Sequence, residues 1–169
     1  MTYAGELSAA RCAWIDSADR FFLATADPRG RPDCPYKGGR PGFVRALSEG
    51  EIARPDQDGN GQFRSLGNLR VHPWAGPLFV DWTRPARLRV NGSARVLEDD
   101  PLLAAWEGAQ LFVRVDVEQV FPNCPRYVHR MERVATSPYA PRPGCEPPRP
   151  AWKDDAAFAD ALQRRGRPR

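Results

Sequence analysis

Residues 56–68 combine a glycine turn, a helix start and a cationic side chain, and they read Asp-Gln-Asp-Gly-Asn-Gly-Gln-Phe-Arg-Ser-Leu-Gly-Asn. The Gly-Asn-Gly sequence at 59–61 permits left-handed backbone conformations that other residues resist. A helix that begins near residue 61 would direct its free N–H groups and the positive end of its dipole toward that turn. Arg64 would add a guanidinium group and Ser65 a hydroxyl. The stretch therefore predicts an anion site that suits a phosphate monoester.

Two better-known nucleotide motifs do not explain this stretch. The P-loop needs Gly-Lys-Ser/Thr after a longer loop, and the Rossmann fingerprint needs a different glycine spacing. A purely structural explanation stays open, because Gly-Asn-Gly is a good turn sequence. An arginine in a first helical turn is also commonly a solvated surface charge.

The length of 169 residues fits one domain with an adequate core. Hydrophobic residues make up 41% and charged residues 27%, which is ordinary for a globular protein, whereas the 18 prolines are about twice the usual share. Part of the net charge of +4 comes from arginines at the end of the chain. Elsewhere arginines are mixed with acidic residues, so we expect no nucleic-acid partner.

The four cysteines show no Cys-x-x-Cys spacing, and there are only two histidines, so the usual ligand pairs of a structural zinc site are missing. We expect free thiols and no metal. The amino terminus lacks a basic region followed by an apolar run, and no stretch approaches the roughly 18 apolar residues of a spanning helix. These observations predict a cytoplasmic location without membrane contact.

Hydrophobic periodicity and turn residues predict a mainly β protein. The predicted strands cover residues 21–26, 31–37, 43–47, 51–54, 77–82, 87–97 and 110–121. The predicted helical segments cover residues 6–19, 61–71, 102–106 and 125–133. Around seven strands with few helices favour a closed or nearly closed β-barrel with flanking helices.

The chain divides at about residue 135. We predict a barrel domain over 1–135 that includes the N-terminal helix, and a proline-rich arm over 136–169 with a weak helix at 154–165. Such an arm either embraces a partner or is disordered. We favour the arm, because Trp152 and Phe158 could anchor it.

Several ordered blocks of the sequence resemble one family. Residues 23–33 (Leu-Ala-Thr-Ala-Asp-Pro-Arg-Gly-Arg-Pro-Asp), 36–39 (Tyr-Lys-Gly-Gly), 58–61, 64–68 and 87–92 (Arg-Leu-Arg-Val-Asn-Gly) are similar to flavin-binding split-barrel proteins of the pyridoxamine 5'-phosphate oxidase-like family. Residues 121–127 (Phe-Pro-Asn-Cys-Pro-Arg-Tyr) resemble a bacterial subgroup of that family. The resemblance covers roughly residues 20–133.

The resemblance implies an FMN-binding split β-barrel of six strands, a homodimer, and one FMN in each of two clefts at the dimer interface. It places the flavin ring along residues 33–37, and the phosphate near Lys37, Arg64 and Ser65. It gives Asn68 and Arg87 polar contacts to the ring edge or ribityl chain, with Arg87 directed toward the partner's cofactor. The cofactor-binding residues that it implies are Asp33, Cys34, Tyr36, Lys37, Asp56, Asp58, Asn60, Arg64, Ser65, Asn68 and Arg87.

The chain departs from the family pattern at two places. Pro35 lies inside the strand that would face the flavin, where it removes one backbone N–H. The tail after Ser137 also lacks the Arg and His pairing with which the true oxidase contacts its phosphorylated pyridine substrate. We therefore do not expect oxidation of vitamin B6.

The leading functional hypothesis is an FMN-dependent oxidoreductase that transfers a hydride between flavin N5 and a small organic substrate or nicotinamide. The flavin supplies the chemistry, so no catalytic residue is assigned. His129 and Tyr127 are possible proton donors, although such residues more often pack. The alternatives are a non-catalytic flavin sensor or carrier, a deazaflavin-dependent reductase, heme handling through His72 or His129, and a nucleic-acid module that uses the basic tail.

Overall fold

The structure is a computed structural model and describes residues 3–59, 62–145 and 147–158. Helix α1 (Ala9–Ser17) precedes the first strand, and helix α2 (Arg64–Val71) lies between the fifth and sixth strands. The strands are β1 (Arg20–Ala26), β2 (Pro32–Asp33), β3 (Tyr36–Gly38), β4 (Arg45–Ser48), β5 (Glu51–Gln57), β6 (Trp74–Asp81), β7 (Ala86–Leu97) and β8 (Ala109–Asn123). Short 3-10 helices cover Leu103–Ala105, Ala151–Asp154 and Ala156–Phe158.

The strands form one antiparallel sheet in the order β2-β1-β6-β7-β8-β5-β4, and β3 also pairs with β1. The sheet is curled, as shown by side chains of distant strands that pack together in one core. Phe21 of β1 lies 5.3 Å from Phe79 of β6 between ring centroids and stacks on Phe43 at 5.7 Å. The same core contains Ile52 of β5 and Val113 of β8. The predicted fold class, a mainly β barrel with flanking helices, is confirmed.

The barrel is split beside β5. Strand β4 pairs only with the first half of β5, opposite residues 51–53. The second half, residues 54–57, pairs with β8 on one edge, and within the described ranges no strand pairs with its other edge. The short strands β2 and β3 lie along β1, at the far end of the sheet order. The opening between these two edges is called the cleft below.

The predicted strand over 31–37 is wrong as one element, because two short strands replace it. Pro35 lies between β2 and β3 and has no N–H to donate to a ladder. Its carbonyl still accepts a hydrogen bond from Leu23 N at 3.1 Å. The chain therefore stays beside β1 while its regular pairing is interrupted.

The closing helix predicted over 125–133 is also wrong. After one turn, in which Val128 N donates to Pro125 O at 2.8 Å, the chain runs on without regular structure. Met131 N donates to Trp82 O at 3.0 Å, and Arg133 pairs with Asp19, so contacts to the barrel replace helical hydrogen bonds.

Three other predicted helices are shorter than the periodicity indicates. The first covers Ala9–Ser17 rather than 6–19, and the third is a 3-10 turn over Leu103–Ala105, where Asp100 Oδ1 accepts from Leu102 N at 2.8 Å. The second begins at Arg64, and residues 60 and 61, where we expected it to start, lie outside the described residues. The helix predicted at 154–165 begins as 3-10 turns, and its part from 159 onward lies outside them too. Among the described residues no helix is long and apolar enough to cross a membrane.

Candidate functional site

Charged side chains from both edges of the cleft lie on the inner face of the barrel. In an antiparallel pair, opposed residues project to the same face. Lys37 of β3 is opposed to Phe21, which is buried in the core, and Asp33 of β2 is opposed to the buried Thr25. The polar residues of β2 and β3 therefore share the face that the core residues of β1 occupy.

Strand β5 supplies two charges from the other edge. Arg54 and Asp56 alternate with Ile52, whose side chain belongs to the core, so all three lie on the inner face. Arg54 is only 6% exposed. Its Nη1 donates to Pro55 O at 2.8 Å, and its Nη2 lies 3.6 Å from Asp56 Oδ1.

Arg54 keeps hydrogen-bonding capacity that the protein does not use. Its Nε and Nη2 atoms are buried; among the described residues no acceptor reaches Nε, and Nη2 has only the Asp56 carboxylate, beyond ordinary hydrogen-bond distance. Burial lowers the pKa of Arg54, although an arginine stays charged in proteins. A buried guanidinium with so few acceptors is costly, and an anion bound beside it would lower that cost.

Lys37 lies close enough to Arg54 and Asp56 to interact with them electrostatically. Burial lowers the pKa of Lys37, and the charge of Arg54 lowers it further, while Asp56 and Asp33 act in the opposite direction. Two cations thus share the cleft with two carboxylates. When Arg64, which pairs with Asp33, is included, three cations stand against two carboxylates, and this excess of one positive charge would suit an anion.

Helix α2 brings its N-terminal end to the same cleft. Its N-cap residue is Phe63, in the left-handed region with φ of 49°, and the Phe63 side chain makes no capping hydrogen bond. The first helical N–H groups have no partner within a helix and carry the positive end of its dipole. Arg64 Nε lies 3.8 Å from Asp33 Oδ1, with an exposed side chain, and Ser65 is buried.

Asn68 has a structural contact in this structure. It is buried, and its Nδ2 donates to Thr25 Oγ1 at 3.0 Å, so it joins α2 to β1. Asp33, Lys37, Asp56, Arg64, Ser65 and Asn68 are thus the predicted residues that lie around the cleft.

Of the remaining predicted residues, the described ones lie at the edge of the cleft or away from it. Asp58 follows β5 and contacts Lys153 from the C-terminal segment, and Asn60 lies outside the described residues. Cys34 is exposed between β2 and β3. Tyr36 is 58% exposed, and it is opposed to Phe22, which places it on the outer face of the sheet.

Arg87 lies on the outer face as well, opposed to Val80 of β6. Its Nη2 donates to Cys124 O, and its Nε is buried with no hydrogen-bond partner among the described residues. A single chain therefore does not bring Arg87 to the cleft. Any shared role with Lys37 needs a second copy of the chain.

Sequence reasoning missed Arg54 and Thr25. Arg54 had a visible signal, because it stands two residues after Ile52 in a short strand, where a core-facing residue is expected. Thr25 had no comparable signal, since its partner Asn68 is 43 residues away in the sequence.

The fold and this charged cleft define a class of split-barrel proteins. A family model for pyridoxamine 5'-phosphate oxidase matches residues 7–136, and the chain belongs to this family. The resemblance noted in the sequence is thereby confirmed. No curated protein matches the sequence.

Solved structures share the fold at low sequence identity. A Lactobacillus delbrueckii protein assigned as a pyridoxamine 5'-phosphate oxidase is 22% identical, with a TM-score of 0.58 over 72% of this chain and 99% of its own. HupZ of Group A Streptococcus is 16% identical, with a TM-score of 0.57 over 75% and 100% of the two chains. At these identities the comparison establishes the fold alone.

Proposed function

We propose that the cleft binds FMN and that the 5'-phosphate lies among Lys37, Arg54 and Arg64. The observation that carries this proposal is the buried Arg54 guanidinium, whose Nε has no acceptor among the described residues and whose Nη2 has only a 3.6 Å ion pair. It lies beside a lysine whose pKa the same arginine lowers. A phosphate dianion offers several strong acceptors and would relieve the repulsion between the two cations. Each charge-assisted hydrogen bond would contribute about 1.5 to 3 kcal/mol.

The helix and strand around this cluster fit a phosphate in other respects. The free N–H groups at the start of α2 add neutral donors next to Arg64 and Ser65. Asp33 and Asp56 hold the cations in position through ion pairs of 3.8 Å to Arg64 and 3.6 Å to Arg54. The carboxylates thereby keep the cationic groups in place before a ligand arrives.

The family resemblance implies that the flavin ring lies along residues 33–37. Cys34 is exposed there, so its side chain is accessible to a ring, whereas Tyr36 lies on the outer face against Phe22. Pro35 leaves one fewer backbone donor for the ring edge. When bound, FMN supplies hydride exchange at N5 with a small organic substrate or a nicotinamide donor. The residues of this chain bind and orient the cofactor, and none is assigned a catalytic role.

We further propose a homodimer formed through the outer face of β1, β3, β6 and β7. This face carries partly or fully exposed apolar side chains, namely Phe22, Ala24, Tyr36, Trp74, Leu78 and Val80. An apolar face of this kind is typical of subunit interfaces. Arg87 lies on the same face, which supports its predicted role at the partner's cofactor.

The dimer has its own test. Leu78→Asp would place a charge in the middle of this face, so sedimentation analysis should show a monomer where the wild-type chain gives a dimer. A wild-type chain that sediments as a monomer would contradict the proposed homodimer. The cytoplasmic location expected from the sequence stays a prediction.

The first experiment is the near-ultraviolet and visible absorption spectrum of the purified protein, with chromatography of any small molecule that is released. A flavin spectrum with FMN released supports the proposal. A colourless protein that also fails to take up added FMN overturns it. A deazaflavin that displaces FMN would favour the related reductase.

Turnover is measured next, with reduced nicotinamide as donor. Rapid flavin reduction and reoxidation with consumption of a substrate supports the oxidoreductase. Bound FMN that is not reduced by any donor favours the sensor or carrier.

A further inference from the structure

The chain after β8 returns to the barrel and contacts it at three places. Met131 and Arg133 contact Trp82 and Asp19, beside the start of β1. Farther along, Pro141 packs against Gly108 in the turn before β8. Its Cγ would lie 3.7 Å from a Cβ at position 108. We call residues 131–145 and 147–155 the C-terminal strap.

The strap ends at the glycine turn that follows β5. Lys153 is 8% exposed, and its Nζ contacts the Asp58 carboxylate. Burial lowers the pKa of Lys153, and the charge of Arg149 lowers it further. A lysine is buried in this way when a carboxylate partner offsets its desolvation.

The strap holds this lysine in a compact turn. Lys153 N donates to Pro150 O at 3.0 Å, and Asp155 N donates to Trp152 O at 3.2 Å. Arg149 contacts the Lys153 carbonyl oxygen at 3.3 Å and the Asp154 carboxylate at 2.8 Å. The position of the Lys153 ammonium is therefore set by the strap's own backbone.

Asp58 matters because it stands two residues after Asp56, at the end of the same strand that carries Arg54. Its carboxylate would repel a phosphate in the cleft. The cleft has three cations, Lys37, Arg54 and Arg64, against the two carboxylates Asp33 and Asp56. The charge of Asp58 would cancel this excess of one positive charge, and the charge of Lys153 restores it.

We propose that Lys153, held by the C-terminal strap, neutralises Asp58 at the edge of the cleft and thereby raises the affinity of the cleft for a phosphate-bearing ligand. This inference rests on the proposed function, and it makes Lys153 a positioning and charge-balancing residue that does not touch the ligand. It also changes the role of Asp58, which the sequence assigned to the cofactor. The tail would then belong to the binding site of its own chain.

The test is the dissociation constant of FMN, measured by quenching of flavin fluorescence at low ionic strength. Lys153→Gln should bind FMN about tenfold more weakly, because the positive charge beside the Asp58 carboxylate is lost. Asp58→Asn should bind at least as tightly as the wild type. The double variant Lys153→Gln with Asp58→Asn should recover most of the lost affinity.

Arg142→Gln is the matched control, because it also removes one positive charge from the strap, at an exposed site outside the Asp58 contact. Its affinity should equal that of the wild type. Near-ultraviolet circular dichroism confirms that each variant is folded.

Three outcomes would overturn the proposal. If Lys153→Gln and the wild type bind FMN with equal affinity, Lys153 does not contribute to ligand binding. A double variant that is as weak as Lys153→Gln removes the charge-balancing explanation. A wild-type chain without affinity for FMN overturns both this inference and the proposed function, whereas the first two outcomes leave the proposed function intact.

Discussion

Two arginines on the same pair of strands differ in what surrounds them. Arg54 of β5 is opposed to Val113 of β8, and Arg114 of β8 is opposed to Ala53 of β5. They are therefore neighbours in the ladder, but they project to opposite faces of the sheet. Arg54 faces the cleft, and Arg114 faces the outside of the barrel.

Arg114 is fully paired. Its Nε and Nη2 donate to the two oxygens of Asp100 at 2.6 and 3.2 Å, and its Nη1 donates to Glu51 Oε2 at 2.8 Å. The hydrogen bond with Asp100 is the main cause that raises the pKa of Arg114, whereas burial lowers the pKa of Arg54. Arg95 extends the network, with contacts to Glu51 and Asp116.

The difference separates stabilisation from binding. A bidentate pair with both partners in the chain contributes to the free energy of folding, and it has no donor left for a ligand. An arginine buried with one backbone acceptor and one long ion pair costs free energy in the protein alone, and a bound anion would recover part of that cost. We therefore expect the removal of Arg54 to lower mainly the affinity for FMN, and the removal of Arg114 to lower mainly the free energy of unfolding.

The largest effect is expected for Arg54→Met. The affinity for FMN should fall about 100-fold, since the phosphate loses more than one charge-assisted hydrogen bond. The free energy of unfolding without ligand should fall by less than in Arg114→Met, because the desolvation cost of the arginine is removed while Asp56 loses only an ion pair of 3.6 Å. Fluorescence titration and urea unfolding measure the two quantities. Unchanged affinity would show that Arg54 is not part of the binding site.

Arg114→Met is the matched variant on the outer face. It leaves Asp100, whose side chain is 1% exposed, without its main partner. We expect the free energy of unfolding to fall by about 2 kcal/mol, with FMN affinity of the folded protein unchanged. Urea unfolding checks the first quantity. If Arg114→Met lost as much affinity for FMN as Arg54→Met, the assignment of binding to the inner face and stabilisation to the outer face would be wrong.

The sequence was informative where the pattern is local. The alternation in residues 110–121 predicted a long strand with one apolar face, and β8 covers Ala109–Asn123. The turn and helix of residues 56–68 indicated cations near a helix start, and Arg64, Ser65 and Asn68 do lie on α2. The ordered blocks indicated the family.

The sequence was less informative where distant segments meet. The pairing of Arg54 with Asp56 has a local spacing, but the approach of Lys37 depends on how the barrel curls. The contact of Lys153 with Asp58 joins residues 95 apart, and no periodicity connects them. Residues 125–133 look helical in composition, and their contacts to Trp82 and Asp19 outweigh that weak local preference.

Arg64→Gln should have a smaller effect than Arg54→Met. Arg64 is exposed and has one long ion pair, so water screens its charge and a ligand gains less from it. We expect FMN to bind about tenfold more weakly, with little change in stability. Arg70→Gln is the control on the same helix, because Arg70 pairs with Glu98 at 2.5 Å on the far side of α2 from Asp33. If both variants bind alike, helix α2 does not contribute a specific phosphate contact.

The smallest effect is a pH dependence that originates at Lys37. Burial and the charge of Arg54 lower the pKa of Lys37, so the folded protein loses this proton at a lower pH than the unfolded chain does. Between the two pKa values the unfolded chain binds more protons, and stability without FMN should therefore rise with pH. Binding should change in the opposite direction, since the phosphate favours the ammonium form, and FMN affinity should fall several-fold as pH rises through the folded pKa. Titration with FMN across alkaline pH measures this, and Lys37→Met should remove the dependence. A wild-type affinity that is flat over that range would place Lys37 outside the phosphate site and leave Arg54 as the cation that the cleft reserves for its ligand.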